Sequence, residues 1–156
     1  LSTILSGGES SRMNKTLVDA KQLAVAAQSV PFFNEDEGVF ITLAIANAGV
    51  KAATLEQNMD SVVADLKTNL VSEREFQKVK NQITTEWVSS KGTMAGIAEN
   101  LANFEVYFGD ANLVNTELEK YNKVTRDDIL KVAKKYLNKD NRVVLYYVPK
   151  TKTATK

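Results

Sequence analysis

Histidine and cysteine are both missing from this 156-residue chain. Without imidazole it cannot carry a Ser-His-Asp or Cys-His nucleophile system, or a histidine-ligated zinc or haem. Without thiol it has no thiolate chemistry, no iron–sulfur cluster, and no disulfide to report a redox compartment. Carboxylate, lysine and tyrosine are the groups left for acid–base work. A surplus of either charge is also missing: twenty basic residues stand against nineteen acidic ones. That balance argues against a nucleic-acid partner, whose recognition needs a basic excess to displace counterions from phosphate. Nor is there a run of about 18 apolar residues that could cross a bilayer as a helix.

What is present describes one ordinary globular domain, with 44% apolar and 25% charged residues. A chain of this length buries roughly 70% of its unfolded surface and needs no covalent staple. It begins at Leu1, and Leu1-Ser2-Thr3-Ile4-Leu5 already reads as the interior of a helix. No charged and apolar leader pattern precedes it, so the expectation is a chain cut from something longer.

Along the chain, Ser6-Gly7-Gly8 interrupts the first helix and Ser10-Ser11 restarts it, with Met13, Leu17 and Leu23 as apolar positions. Val25 to Phe33 reads as extended, with Pro31 marking a sheet edge or strand end. A polar turn, Asn34 to Gly38, leads into a strand from Val39 to Ala46, and the two runs make a hairpin. In the second strand Val39, Ile41, Leu43 and Ile45 share one face, while Phe40, Thr42, Ala44 and Ala46 share the other. Leu55, Met59, Val62, Val63, Leu66 and Leu70 then form a helical stripe. Ser72 and Glu75 have capping-box spacing at the start of a helix carrying Phe76, Val79, Ile83 and Trp87. After a weak stretch at 89–93 comes a second stripe: Met94, Ile97, Leu101, Phe104 and Phe108. A short helix is expected over Ala111–Tyr121. Thr125 caps the last helix, with Asp127 and Asp128 in its first turn and Ile129, Val132, Ala133, Tyr136 and Leu137 as its core face. Arg142 to Val148 is strongly β-prone. The expected architecture is α+β, a mostly antiparallel sheet covered by helices, over residues 1–149, with 150–156 as a disordered tail.

Few residues suggest chemistry, and each has a plainer explanation. Glu35, Asp36 and Glu37 lack calcium-loop spacing and fit a solvated hairpin loop. Asp127 and Asp128 are accounted for by the helix dipole. Gly7-Gly8 lacks the Gly-Lys-Ser/Thr ending of a phosphate loop, and the sequon Asn14-Lys15-Thr16 falls within a helix. Trp87, Phe104, Tyr107 and Phe108, like Tyr136, Tyr146 and Tyr147, read as core aromatics. On the residues alone, no reaction centre is visible.

Two stretches resemble a known family. Leu5-Ser6-Gly7-Gly8-Glu9-Ser10-Ser11-Arg12-Met13, followed by Leu17 and Leu23-Ala24, is similar to the Gly-rich, Ser-Ser-Arg segment of pitrilysin/insulinase-type zinc peptidases and mitochondrial processing peptidases. Tyr107-Phe108-Gly109-Asp110, Val124 to Ile129, Val132 to Leu137 and Asn141 to Leu145 resemble their closing pattern, in the same order. The resemblance implies repeated α+β units in paired halves that enclose a peptide-holding chamber. Zinc in that family sits on an inverted His-x-x-Glu-His helix, which a histidine-free chain cannot contain. This chain therefore resembles the later, C-terminal, non-catalytic unit, lacking a first strand that would precede Leu1. By the same resemblance, an arginine and a tyrosine that touch substrate in many relatives fall on Val18 and Val25, and neither valine donates a hydrogen bond. No catalytic, binding or metal residue is therefore carried over. The resemblance implies zinc on a catalytic domain or subunit that partners this chain, and a peptide substrate. An edge strand such as Val39 to Ala46 would pair with an extended peptide by β-addition, and an exposed sheet edge would permit self-association. A pseudo-enzyme or assembly scaffold of the same fold is the alternative. No residue reports a compartment; a bacterial envelope location comes from the resemblance only.

Overall fold

A short helix, α1 (Ser2–Ser6), starts the chain in the computed structural model, which describes residues 1–149. Its apolar pair, Ile4 and Leu5, is fully buried. Behind it the chain reverses at a glycine pair that no larger residue would fit. A Cβ on Gly7 would lie 2.5 Å from the Thr3 carbonyl oxygen, and Gly8 has φ +92°. Helical winding resumes at Arg12 and widens into a π-helical segment, Asn14–Ala20, closed by a Lys21 N–H to Thr16 carbonyl bond of 3.1 Å. Met13 and Leu17 point inward from it, with no exposed surface.

The hairpin forms as expected. Strands β1 (Ala24–Phe32) and β2 (Val39–Ala46) pair antiparallel, with Ala27 opposite Ala44, Ser29 opposite Thr42 and Phe32 opposite Val39. The sheet contains these two strands. Its inner face carries small residues and one phenylalanine: Ala24, Ala27 and Ser29 are buried, and Phe40, Ala44 and Ala46 pack against the core. The β1 positions are small because α1 and the π-helical segment lie directly on that strand. The larger apolar set, Val39, Ile41, Leu43 and Ile45, lies on the exposed outer face, joined by Val30 and Phe32 of β1.

Helices complete the core. Helix α2 (Ala52–Thr68) contributes Leu55, Val62 and Leu66, and α3 (Glu73–Ser90) contributes Phe76 and Val79. Leu70, expected at the end of the α2 stripe, lies beyond the helix and is exposed, and its neighbour Val71 is buried instead. Helices α4 (Met94–Phe108) and α5 (Leu113–Lys123) follow, and then α6 (Arg126–Tyr136), which packs Ile129 and Ala133 into the core beside α2. The α6 start is a full capping box: Thr125 Oγ1 accepts from the Asp128 N–H, and the Asp128 carboxylate accepts from the Thr125 N–H at 3.0 Å. The Thr125 hydroxyl also donates to the Asp128 carboxylate at 2.6 Å, and this bond with that from the Thr125 N–H holds the Asp128 carboxyl below its ordinary pKa.

Three expectations need correction. The second helical stripe is not core: α4 has no buried residue, and Met94, Tyr107 and Phe108 are exposed. Its main contacts are with α3 and α5, so no sheet lies beneath it. Trp87, Phe104 and Phe108 make a small aromatic file, with ring centroids 6.0 and 5.9 Å apart, in which Trp87 and Phe104 are partly buried and Phe108 is exposed. On α6, Val132 and Tyr136 are likewise exposed.

The β-prone run from Arg142 to Val148 also forms no strand. Propensity supplies an extended backbone, but a ladder needs a neighbouring strand, and neither strand of the sheet pairs with this run. It is fastened instead to α2, where Arg142 donates to Glu56 at 2.9 Å and to Asp60, and the Tyr146 hydroxyl donates to Glu56. The Glu56 contact raises the Tyr146 pKa. Tyr146 and Tyr147 are thus surface residues, not core. The expected tail, 150–156, lies outside the described residues.

Candidate functional site

The Gly-rich, Ser-Ser-Arg segment has a clear structural job. Ser11 is fully buried and its Oγ accepts from the Asn14 side-chain amide at 3.2 Å. The same amide donates to the Gly8 carbonyl at 2.9 Å, so the Asn14 of the sequon is used in holding the turn. Arg12 projects from this turn between α2 and α3. Its Nε and Nη2 grip both oxygens of Glu75 at 2.9 Å, and Nη1 reaches Asp65 at 2.8 Å. The fork fits the carboxylate plane, and the Glu75 hydrogen bond raises the already high Arg12 pKa. Sequence spacing assigned Glu75 to a reciprocal cap. Ser72 Oγ does accept from the Glu75 N–H at 3.2 Å, but the Glu75 carboxylate is committed to Arg12 instead of returning to Ser72. A charged fork outcompetes one neutral backbone N–H.

A polar column joins α1 to the sheet. Ser6 Oγ accepts from the Ser29 N–H at 2.7 Å and lies 3.3 Å from the Ser29 carbonyl oxygen. Ser29 Oγ in turn lies 3.6 Å from Met13 Sδ and 3.3 Å from Thr42 Oγ1. Every one of these residues except Thr42 belongs to the motif segment or faces it.

That column also defines the free edge of the hairpin. Because the Ser29 backbone turns toward Ser6, Ser29 and Thr42 form a non-hydrogen-bonded pair. Thr42, with Phe40 and Ala44 on the same alternation, therefore points its own N–H and C=O away from β1. Among the described residues, no third strand occupies that edge. It is an open template for an extended chain, beside the exposed apolar face of Ile41 and Leu43.

The other candidates stay apart. Glu35, Asp36 and Glu37 lie in the exposed loop at 33–38, where Asn34 donates to the Glu37 carbonyl at 3.0 Å. Asp128 serves the α6 cap and Asp127 is exposed beside it. Val18 packs against the core from the π-helical segment, and Val25 is exposed at the start of β1. Among the described residues, no three acidic side chains converge as metal ligands. The polar atoms of the motif bond to one another, to the backbone, and to the side chains of Asp65, Glu75 and Lys78. Sequence reasoning missed Asp65 as a partner of Arg12, and which residues of the Val39–Ala46 edge strand turn their backbone groups outward. Neither leaves a local signal, since each depends on packing between distant elements.

Comparison with known proteins agrees with this geometry. A family model described as the peptidase M16 inactive domain matches residues 1–83, more than half of the chain. The zinc protease PqqE of Helicobacter pylori is 26% identical over 149 residues, which are 96% of this chain and 33% of that protein. The crystal structure of a protease from Helicobacter pylori superposes with a TM-score of 0.80 at 26% identity, over 88% of this chain and 33% of that one. An inactive peptidase domain from Bordetella parapertussis superposes with a TM-score of 0.83 at 21% identity, over 96% of this chain and 80% of that one. The chain thus spans about a third of the length of the curated relative it matches.

Proposed function

Since this chain belongs to the peptidase M16 inactive-domain family, we propose that it is the C-terminal, non-catalytic unit of a pitrilysin-type zinc peptidase, completing a peptide-holding chamber around a catalytic unit elsewhere. The observation that carries this reading is a family fold in a chain without one imidazole or thiol. Zinc, expected on the catalytic domain or subunit, would polarise the scissile carbonyl and activate water there. The contribution of this chain would be to hold and orient an extended peptide. The free N–H and C=O groups of Phe40, Thr42 and Ala44 support that role, because β-addition takes affinity from main-chain hydrogen bonds.

The test is direct. The purified chain is expected to bind no stoichiometric zinc by metal analysis and to cleave no peptide library. Zinc-dependent proteolysis by this chain alone would overturn the reading.

The same edge and apolar face would also pair with a second copy. Light scattering is expected to show mass rising with concentration, and Ile41→Thr with Leu43→Thr to reduce that rise. A strict monomer at high concentration would count against the open edge.

A scaffold without peptidase activity is favoured by one observation. Val18 and Val25 stand where the resemblance places polar substrate contacts, and Val18 is engaged in core packing. A His-x-x-Glu-His helix in the remainder of the parent protein or in a neighbouring reading frame supports the peptidase, and its absence from both supports the scaffold.

A further inference from the structure

The Arg12 clamp forms one wall of an open cleft of about 760 Å³ between the Ser10–Thr16 stretch, α2 and the first turns of α3. That volume is in the range of small-molecule sites. Four cations line it, Arg12, Lys15, Arg74 and Lys78, against two carboxylates, Asp65 and Glu75. All four carboxylate oxygens already have donors. Glu75 is held through both oxygens by Arg12, and Asp65 takes Arg12 on one and the Asn69 amide on the other at 2.6 Å. Arg12 with its two carboxylates carries one net negative charge, so with the other three cations the cleft lining carries two net positive charges.

Lys15 and Arg74 make no ion pair among the described residues. Lys78 is half-buried and aimed at Ser10, with Nζ 2.9 Å from Ser10 Oγ, leaving donor capacity toward the cleft. The hydroxyl of Ser72 also lines the wall; its oxygen accepts from Glu75 N–H and its proton is free to donate.

We infer that this cleft binds a small anion of about two negative charges, carried by phosphate or paired carboxylate groups, held by Lys15, Arg74 and Lys78. Lysine ammonium groups act as point charges toward either chemistry, and the Arg74 fork suits both. None of the lining residues belongs to β1 or β2. The cleft is therefore separate from the proposed peptide edge, and either assignment can fail without the other.

The experiment titrates the full chain with inorganic phosphate and, in a separate arm, with succinate, in low-salt buffer, following backbone amide resonances of Ser10, Thr16, Ser61 and Arg74. Saturable shifts in these amides are expected with at least one of the two, and the arm that saturates identifies the headgroup chemistry. Raising salt to about 0.15 M should weaken the binding, because exposed charges are screened beyond about 8 Å. Lys15→Gln with Arg74→Gln, both at exposed positions, should weaken it by roughly tenfold or more, as expected for two lost charge-assisted contacts. Lys131→Gln with Lys134→Gln on α6 should leave it unchanged. Shifts that stay linear in both arms and match those from chloride would overturn the inference, as would equal affinity in the Lys15/Arg74 variant with its circular dichroism unaltered.

Discussion

Arg12→Ala is expected to lower unfolding free energy by about 2–3 kcal/mol, read from urea titrations monitored at Trp87. The estimate follows from the surroundings of each partner. Glu75 is only 20% exposed and loses charged donors from both oxygens, so most of the cost falls there. Asp65 is 53% exposed and rehydrates readily, contributing under about 1 kcal/mol. In a chain of this size the loss corresponds to roughly 5–10 °C in Tm. Arg12→Lys should recover less than half of it, since an ammonium keeps the charge but cannot bridge both Glu75 oxygens and Asp65 in one plane. A double-mutant cycle should give a larger coupling for Arg12 with Glu75 than for Arg12 with Asp65. A loss below about 0.5 kcal/mol on Arg12→Ala would show that the motif arginine does not hold the two helices to the turn.

The clamp also marks where local spacing stops being informative. Ser72 and Glu75 were legible as a cap because both partners lie within one turn, and the serine half of that cap forms. The fate of the Glu75 carboxylate was decided by Arg12, 63 positions earlier in the chain. Helices α2, α3 and α6 were legible because their apolar periods coincide with a core that exists. Helix α4 shows the same periodicity without burial, since period reports which face is apolar and not whether a neighbour covers it. Arg142 to Val148 makes the same point for strands: alternation and branched side chains specify an extended run, but pairing requires a second edge in reach. That Val39 to Ala46 is an edge strand was legible, but the phase of its free groups was not. The phase follows from the Ser6–Ser29 contact, which sets which backbone groups turn inward and which turn out.

Leu66→Ala and Leu43→Ala remove the same atoms and are expected to differ several-fold in cost. Leu66 is fully buried in the core between α2 and its neighbours, where truncation leaves a cavity that packed surroundings cannot fill. Its loss should cost about 3–4 kcal/mol. Leu43 is 42% exposed on the outer face of β2, so truncation removes a smaller buried area and leaves no enclosed void. Its loss should cost under about 1 kcal/mol. A choice of core face by side-chain size would give the opposite ranking within the hairpin, because it would place Leu43 inside and Ala44 outside. The orientation observed has a physical logic: α1 and the π-helical segment approach β1 closely enough that its inner positions Ala24, Ala27 and Ser29 are small, while Ile41 and Leu43 lie on the far side. Equal losses for the two variants, measured by urea titration of monomeric samples, would mean that the outer face is packed as a core and that the hairpin is turned the other way. The predicted inequality would instead identify Ile41, Leu43 and their neighbours as apolar surface that contributes little to the stability of this unit and is available to a second one.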